Sequence, residues 1–353
     1  MSSSVRSSGV RSVVSYIHII SSTALALDSQ FQSCKKKKMM CDTRAPSSKM
    51  SSMSLSDNNG ISVCANCGKE GTDVTNTCNK CNSVMYCNAA CKKKHRHKHK
   101  ADCERKVAEL HDEKLFKQPP QKEDCPICFL RMPSLTAVQV YMACCGKEIC
   151  NGCVHAADVR DEKGDGLCPF CRTPTPDTDE EVVKRYKIRM EKNDSKAIYD
   201  FGGFYAYGYH GLPQNMAKAL KLWHRAGELG DINAYHNIGI AYENGRGVEI
   251  NKEKAVHHYE LAAKGGNVTA RHNLGFGEYQ AGNMDRALKH WMIAIQEGGF
   301  KRSMDGTKQL YSDGYATKID YTKALRANQA YLDEIKSDQR DEAAASNDRY
   351  RYY

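Results

Sequence analysis

Cysteine is the residue that most constrains what this chain can fold into. Of 17 cysteines in 353 residues, fifteen fall between positions 64 and 171, mostly as Cys-x-x-Cys pairs. Disulfide frameworks belong to short secreted domains, whereas paired cysteines mixed with histidine in a longer chain are typical of zinc ligands. The spacing therefore predicts a zinc-binding protein of a reducing compartment, cytosol or nucleus.

The first cysteine cluster provides a complete set of metal ligands. Its ligand-type residues are Cys64, Cys67, Cys78, Cys81, Cys87, Cys91, His99 and Cys103. Eight ligands fill two tetrahedral zinc sites with no open position, which is typical of structural zinc rather than catalytic zinc. A stretch of about forty residues buries too little apolar surface to fold alone, so metal must stabilise it. His99 lies one helical turn before Cys103, whereas His95 and His97 are expected at the surface.

This spacing resembles the MYND zinc finger over residues 64–103. The resemblance implies cross-braced ligation, with one zinc on Cys64, Cys67, Cys87 and Cys91 and the other on Cys78, Cys81, His99 and Cys103. It also implies a protein-interaction finger that takes proline-containing peptides.

The second cluster resembles a RING finger over residues 125–173, through "CPIC", "CCGKEICNGC" and "CPFCR". Six of its ligands follow from the family pattern: Cys125, Cys128, Cys150, Cys153, Cys168 and Cys171. The family usually places Cys-x-His between the first two pairs, but Lys147 occupies that histidine position, and an ammonium cannot bind zinc.

Two alternatives supply the remaining ligands of the second cluster. Some RING fingers use eight cysteines, and here Cys144 and Cys145 would both bind, with Gly146 relieving the crowding. In the other alternative, one of these cysteines acts together with His155. We favour the cysteine pair, because His155 is expected on an exposed helix after Cys153.

A RING has no catalytic nucleophile; it binds a ubiquitin-conjugating enzyme charged with ubiquitin and orients the thioester. The resemblance implies that Ile127 and Pro169 form the apolar contact with that enzyme. Arg172 matches the position that hydrogen-bonds both the enzyme and ubiquitin, a role that suits its fixed fork of donors.

The formal net charge of +10 assumes neutral thiols. Fifteen thiolates would remove fifteen charges and four zinc ions would add eight, which leaves about +3. The apparent basicity is thus largely counter-charge for metal sites, and the Lys- and His-rich run at 91–100 lacks the interleaved aromatics that stack on bases. Nucleic acid is not the expected partner.

Residues 193–337 contain no cysteine and repeat a helical pattern. An Asn or Asp stands four positions before an alanine in four successive segments, at Asn215, Asn251, Asn283 and Asp320, where it can cap a helix. Aromatic residues follow the first three alanines by four positions, at Trp223, Tyr259 and Trp291. Glycines of the preceding helices, Gly202, Gly239 and Gly275, predict close helix packing.

The period of about 36 residues indicates a stack of helix pairs that buries its core between neighbours. The pattern resembles Sel-one-like repeats, relatives of the tetratricopeptide repeats, which are interaction scaffolds. In the fourth copy Asn328 replaces the aromatic and Thr307 lies near the glycine position, so we expect a capping unit.

These features predict a multidomain chain: two small cross-braced zinc fingers of irregular α+β structure, followed by an all-α solenoid. A Ser-rich leader (1–60) is expected to be disordered, since its mildly apolar run is too short and polar to span a membrane. A helical linker (104–122) stopped by Pro119 and Pro120 joins the fingers, and a polar tail (338–353) ends the chain.

The functional prediction is a RING-type ubiquitin ligase with four zinc ions. It would recruit a charged conjugating enzyme through the RING, and partners through MYND and the repeats. A non-catalytic zinc-finger adaptor is the alternative.

Overall fold

The computed structural model describes residues 62–134, 138–161 and 166–351, so the predicted leader lies outside the described residues. The described chain divides into two compact units, one ending at Lys117 and one beginning at Gln118. The predicted order of two small cysteine modules followed by a helical solenoid is confirmed.

The first unit consists of short strands and one long helix. Strand β1 (Ser62–Val63) pairs antiparallel with β2 (Glu70–Gly71), and β3 (Asn76–Thr77) pairs antiparallel with β4 (Met85–Tyr86). Helix α1 (Ala89–Leu115) follows, and the Asn88 side chain caps it by accepting a 2.8 Å hydrogen bond from the Cys91 amide. The buried core is small, and cysteines contribute most of it.

The predicted linker helix is not a separate element. Helix α1 runs without a break from the last ligands of the first cluster to Leu115, and the Phe116 amide caps its end by donating a hydrogen bond to the Asp112 carbonyl. The helix therefore ends at Leu115, four positions before Pro119, the first of the two prolines that were expected to stop it.

The second unit begins with a hairpin and a helix. Strands β5 (Gln139–Met142) and β6 (Lys147–Cys150) pair antiparallel, with Val140 opposite Ile149, and helix α2 (Asn151–Arg160) follows directly. Met132, Met142, Ile149 and Val154 form an apolar core that the cysteine side chains surround. This module is the second cysteine cluster of the sequence.

Nine helices, α3 to α11, form the solenoid. They are α3 (Asp179–Glu191), α4 (Ser195–Tyr207), α5 (Met216–Glu228), α6 (Ile232–Asn244), α7 (Lys252–Lys264), α8 (Val268–Gln280), α9 (Met284–Gly298), α10 (Lys301–Ser312) and α11 (Lys318–Ile335). Helix α3 precedes the predicted start at residue 193 and packs on α4 through Val182, Tyr186 and Phe204.

In each of the first three repeats, the two helices pack closely where a glycine of the first helix lies against an aromatic ring of the second. A Cβ atom added at Gly202, Gly239 or Gly275 would lie 2.6 Å from Trp223, Tyr259 or Trp291 respectively. These three rings are almost fully buried, and the Trp223 indole donates a 3.1 Å hydrogen bond to the Tyr199 carbonyl. The predicted close packing at these glycines is confirmed.

The predicted caps hold for two repeats only. Asn215 and Asn251 accept hydrogen bonds from the Lys218 and Lys254 amides. Asn283 begins α9, but its side chain donates to Glu278 instead. For the fourth helix the prediction of Asp320 as cap is wrong.

Thr317 caps that helix, α11, and Asp320 sits three positions into it. The Thr317 hydroxyl accepts from the Asp320 amide, while the Asp320 carboxylate accepts from the Thr317 amide. This reciprocal pair is a capping box, and it moves the start of the helix three residues earlier than the repeat alignment predicts.

The prediction of a polar tail over residues 338–353 also needs correction. Helix α12 (Asp338–Ser346) and a 3₁₀ turn (Asp348–Tyr350) occupy this segment. Arg340, Ala343 and Ala344 lie on one face of α12 and are buried. The spacing of three and four residues makes a polar-looking segment amphipathic, so it packs instead of remaining in solvent.

None of the helices in the described ranges combines the length and apolar character needed to cross a membrane.

Candidate metal centres and the adjoining groove

The described residues contain four groups of cysteine and histidine side chains, and in each group the ligand atoms lie within 4.8 Å of one another. The groups are Cys64, Cys67, Cys87 and Cys91; Cys78, Cys81, His99 and Cys103; Cys125, Cys128, Cys150 and Cys153; and Cys144, Cys145, Cys168 and Cys171. In both modules the groups interleave along the chain, which is the cross-braced arrangement. Every ligand-type residue singled out from the sequence, except His155, belongs to one group.

The distances between sulfur atoms fit tetrahedral zinc. Cys67 and Cys87 lie 3.7 Å apart, Cys128 and Cys150 lie 3.8 Å apart, and Cys78 lies 3.6 Å from Cys103. A tetrahedron with Zn–S bonds of about 2.3 Å has edges of about 3.8 Å. A disulfide would require about 2.05 Å, so these thiols are not cross-linked to one another.

In the first module, helix α1 carries both His99 and Cys103 toward the same point. The His99 Nε2 atom lies 3.2 Å from the Cys81 sulfur, and both side chains are buried. His97 is exposed as expected, but His95 is half-buried, because its Nδ1 lies 3.2 Å from the Tyr86 hydroxyl and its ring stacks on His99.

In the second module, a tight turn brings Cys144 and Cys145 into one group. The Met142 carbonyl accepts hydrogen bonds from the Cys145 and Gly146 amides, at 3.1 and 2.7 Å. Gly146 has φ +74°, which glycine adopts without strain. As a result the Cys144 sulfur lies 3.4 Å from that of Cys171.

The second sulfur of the pair, on Cys145, lies 4.0 Å from the sulfur of Cys168. His155 lies on α2, where its ring is 6.5 Å from the ring of Tyr350. Of the two alternatives that the sequence leaves open, the geometry thus favours the cysteine pair.

The electrostatics of this group call for a cation. Hydrogen bonding from the Cys144 thiol, helped by backbone amides, lowers the pKa of Cys168 to about 5. Burial and the neighbouring Cys168 charge raise the pKa of Cys145 to about 11. Four thiolates packed so closely ionise together only around a positive ion, which is the chemistry of a zinc-thiolate site.

Arg189 of α3 holds the turn that carries the paired cysteines. Its Nε donates to the Ala143 carbonyl at 3.1 Å and its Nη2 donates to the Cys144 carbonyl at 3.0 Å. No local pattern in the sequence predicts this contact, because the two segments lie 45 residues apart. These two hydrogen bonds fix the backbone of the Cys144–Cys145 turn, where the ligand set departs from the usual RING pattern.

A groove of about 290 Å³ lies beside the second module, and Ile127, Pro169 and Arg172 all line it. Its other walls come from α2, through Ala156, Ala157 and Asp158, and from Gln339 of α12. Arg172 has φ +61°, a left-handed backbone conformation that is uncommon for residues other than glycine. The structure thus brings Ile127, Pro169 and Arg172, the three residues that the RING resemblance implicates, to one groove.

The groove is lined by both apolar and titratable side chains. Burial, with a smaller effect from the Asp161 charge, raises the pKa of Asp158 to about 6. Phe129, two residues after Ile127, and Phe170, which follows Pro169, are 77% and 44% exposed. Exposed aromatic side chains are typical of a surface that binds another protein.

Family comparison identifies two kinds of module. The MYND finger model matches residues 64–103, and the Sel1 repeat model matches residues 195–231 and 232–267. The repeats are also similar to the crystal structure of a Sel1 repeat protein from Oxalobacter formigenes, at 28% identity over 47% of this chain and 64% of that chain, with a TM-score of 0.38.

Curated relatives match a short part of the chain. The E3 ubiquitin-protein ligase GW2 of Oryza sativa is 42% identical over 53 residues, and DA2 of Arabidopsis thaliana is 42% identical over 52 residues. Each match covers 15% of this chain and only 12% of the relative. Taken with the geometry, these comparisons show a chain that carries a MYND finger over residues 64–103 and Sel1 repeats from residue 195 to residue 267.

Proposed function

We propose that this chain is a RING-type ubiquitin-protein ligase whose second cysteine module recruits a charged ubiquitin-conjugating enzyme. The observation that carries the proposal is the convergence of Ile127, Pro169 and Arg172 on one groove beside that module. The short match to plant ubiquitin ligases supports the same reading. Zinc in this proposal is structural, with four ions, two in each module, because each ligand group is complete.

The chain's own residues would act by binding and orientation. Ile127 and Pro169 offer the apolar contact for the conjugating enzyme, while the guanidinium of Arg172 donates to carbonyl groups of the enzyme and of ubiquitin. Holding both partners in one posture restricts the thioester to conformations that an incoming lysine amine can attack. No residue of the groove needs to act as a nucleophile.

The MYND finger and the Sel1 repeats would bind the protein partners or substrates of the ligase. Both kinds of module are protein-interaction scaffolds, so we expect protein or peptide ligands for them and no nucleic acid. The cysteine-rich zinc-type ligand groups support a reducing compartment, cytosol or nucleus, for the proposed activity.

Ubiquitin-chain formation with purified activating enzyme, a panel of conjugating enzymes and the full chain tests this proposal. Wild type is expected to form chains with at least one conjugating enzyme, and Arg172→Ala and Ile127→Ala to reduce the rate about tenfold or more, as for anchor contacts. Lys184→Ala serves as the control, since this lysine is 70% exposed on α3, outside the groove.

The second candidate is a non-catalytic adaptor, which the complete ligation of all four groups also permits. An adaptor needs no groove residue for its function. Chain formation absent from wild type with every conjugating enzyme, or unchanged in both groove variants, would favour the adaptor over the ligase.

A further inference from the structure

The C-terminal helix α12 is the one described element that touches both the second module and the groove. Its exposed face carries Asp338 and Glu342, and its buried face carries Arg340 and Ala343. Ser337 caps the helix by accepting a 3.3 Å hydrogen bond from the Arg340 amide. A helix with a fixed start and one buried face is a docked structural element rather than a tail.

Helix α12 packs directly on the backbone of α2. A Cβ atom added at Gly152, between the ligands Cys150 and Cys153, would lie 2.9 Å from the backbone nitrogen of Arg340. Ala344 joins Val138, Tyr331 and Ile335 in one buried cluster. Only a glycine in the Cys-x-x-Cys segment allows this approach, so the module and the helix are fitted to one another.

Arg340 joins the helix to the metal-binding loop. Its Nη1 donates to the Arg131 carbonyl at 2.9 Å, and its Nη2 lies 3.7 Å from the Cys128 sulfur and 3.5 Å from the Leu130 carbonyl. Its side chain is buried, with 2% of the residue exposed. A buried guanidinium needs a negative partner, and a zinc bound by four thiolates carries a net charge of −2.

Gln339, the preceding residue, belongs to the groove. Its Oε1 lies 3.7 Å from the Cys153 sulfur, and it lines the same cavity as Ile127, Pro169 and Arg172. The glutamine side chain offers both a hydrogen-bond donor and an acceptor. It can therefore distinguish between partner proteins whose apolar contacts are the same but whose polar groups differ.

We propose that helix α12 completes the conjugating-enzyme surface, with Gln339 as a contact residue that selects among conjugating enzymes. Arg340 is a positioning residue that holds the loop carrying Ile127 and neutralises the zinc-thiolate group at Cys128. The Gln339 role rests on the proposed ligase function, whereas the Arg340 role concerns the metal site and stands apart from it.

Calorimetric titration of the zinc-loaded full chain with a panel of purified conjugating enzymes tests the Gln339 role. Gln339→Ala is expected to weaken binding of at least one conjugating enzyme by about fivefold or more, and to change the order of preference within the panel. Glu342→Ala, on the exposed face of the same helix, is the matched control and should change each Kd by less than about twofold.

Zinc release to a chelator, followed by mass spectrometry under non-denaturing conditions, tests the Arg340 role. Arg340→Met is expected to release one zinc at least about tenfold faster than wild type, as for lost outer-shell partners. Arg340→Lys keeps the charge but loses the fork of donors, so its release rate should fall between the two. Equal release rates for all three proteins would overturn this role.

The outcomes separate this inference from the proposed function. Wild type that binds no conjugating enzyme would overturn the ligase proposal and the Gln339 role with it, while the zinc measurement would still decide the role of Arg340. Wild type that binds while Gln339→Ala leaves every Kd within about twofold would overturn the Gln339 role alone.

Discussion

The second cysteine module and the Sel1 repeats belong to one compact unit, yet different kinds of interaction stabilise them. The module has a core of few apolar side chains and two groups of four cysteines. The repeats contain no cysteine and rely on buried rings seated on glycines. Metal replaces apolar burial where the chain is short, whereas repetition of one contact is sufficient where it is long.

Polar side chains of the helices join these two regions. Arg131 of the module forms ion pairs with Glu297 of α9 and with Glu334 of α11. Lys196 of α4 lies 3.5 Å from Glu148 of β6 and 3.3 Å from the buried Asp200. The comparison therefore predicts distinct weak points in the module, in the repeats and at their junction.

The largest expected effect is on the module. Cys144→Ser should reduce the zinc content from four ions to three, since one ligand of a complete group is lost, and zinc binding contributes on the order of 10 kcal/mol to small zinc folds. Mass spectrometry under non-denaturing conditions counts the ions. His155→Ala is the matched variant and should retain four; a loss of zinc in that variant instead would restore the histidine alternative.

The next effect concerns the repeats. Gly202→Ala should lower the free energy of unfolding by about 1–3 kcal/mol, because its Cβ would overlap the Trp223 ring. Gly203→Ala is the control: nothing lies within 4 Å of its added Cβ, so it should stabilise the helix by about 0.5–1 kcal/mol. Both tryptophans of the chain lie in the repeats, so tryptophan fluorescence during urea unfolding reports this region. Equal effects of the two substitutions would contradict the ring-on-glycine contact.

A smaller effect is expected at the junction. Arg131 and Glu297 are 2.9 Å apart with side chains only 17% and 13% exposed, so Arg131→Met should cost about 2 kcal/mol by removing the cationic partner of a largely buried carboxylate. On α3, Lys184 and Glu181 lie 3.7 Å apart, with side chains 70% and 38% exposed. Lys184→Met should cost less than about 1 kcal/mol in the same urea measurement, and a similar cost for both substitutions would contradict the assumption that burial strengthens the Arg131–Glu297 pair.

The smallest effect is a pH dependence of the repeats. Burial, with a minor effect of Arg302, lowers the pKa of His272 to about 4. The unfolded chain binds a proton below pH of about 6.5 while the folded chain does not, so stability should fall between pH 6.5 and 4, by about 1–2 kcal/mol for this residue at pH 5. Urea titrations at pH 7.5 and 5 should show a smaller difference for His272→Gln than for wild type. His257→Gln, at an exposed position, should change the difference less than His272→Gln does.

Local spacing in the sequence was sufficient for the fold class and for the close helix packing at the glycines. The resemblance to MYND and RING fingers implied the candidate ligands, but it left open whether Cys144 or His155 completes the second module. Gly202, Gly239 and Gly275 predicted close helix packing in three repeats, and each lies sixteen to twenty-one positions before the ring that it contacts. These features are encoded within single modules, where sequence periodicity reflects geometry directly.

The contacts between modules could not be predicted in the same way. Arg340 reads as a solvent-exposed charge in a polar tail, and Arg189 as one charge among many on a helix; both are recruited by segments 45 or more residues away. The spacing of Arg340, Ala343 and Ala344 on one helical face was the only local signal. The packing between modules decides which segments Arg340 and Arg189 contact, and no local sequence pattern encodes that packing.

Thermal unfolding followed by tryptophan fluorescence tests most directly whether the module and the repeats behave as one body. Cys144→Ser removes a ligand in the module, whereas both reporters, Trp223 and Trp291, lie in the repeats. We predict that the midpoint falls by about 5 °C or more, and by more than in Cys81→Ser, where the altered ligand belongs to the other compact unit. A midpoint unchanged within about 1 °C, in a Cys144→Ser protein shown to have lost zinc, would contradict the coupling of the two regions.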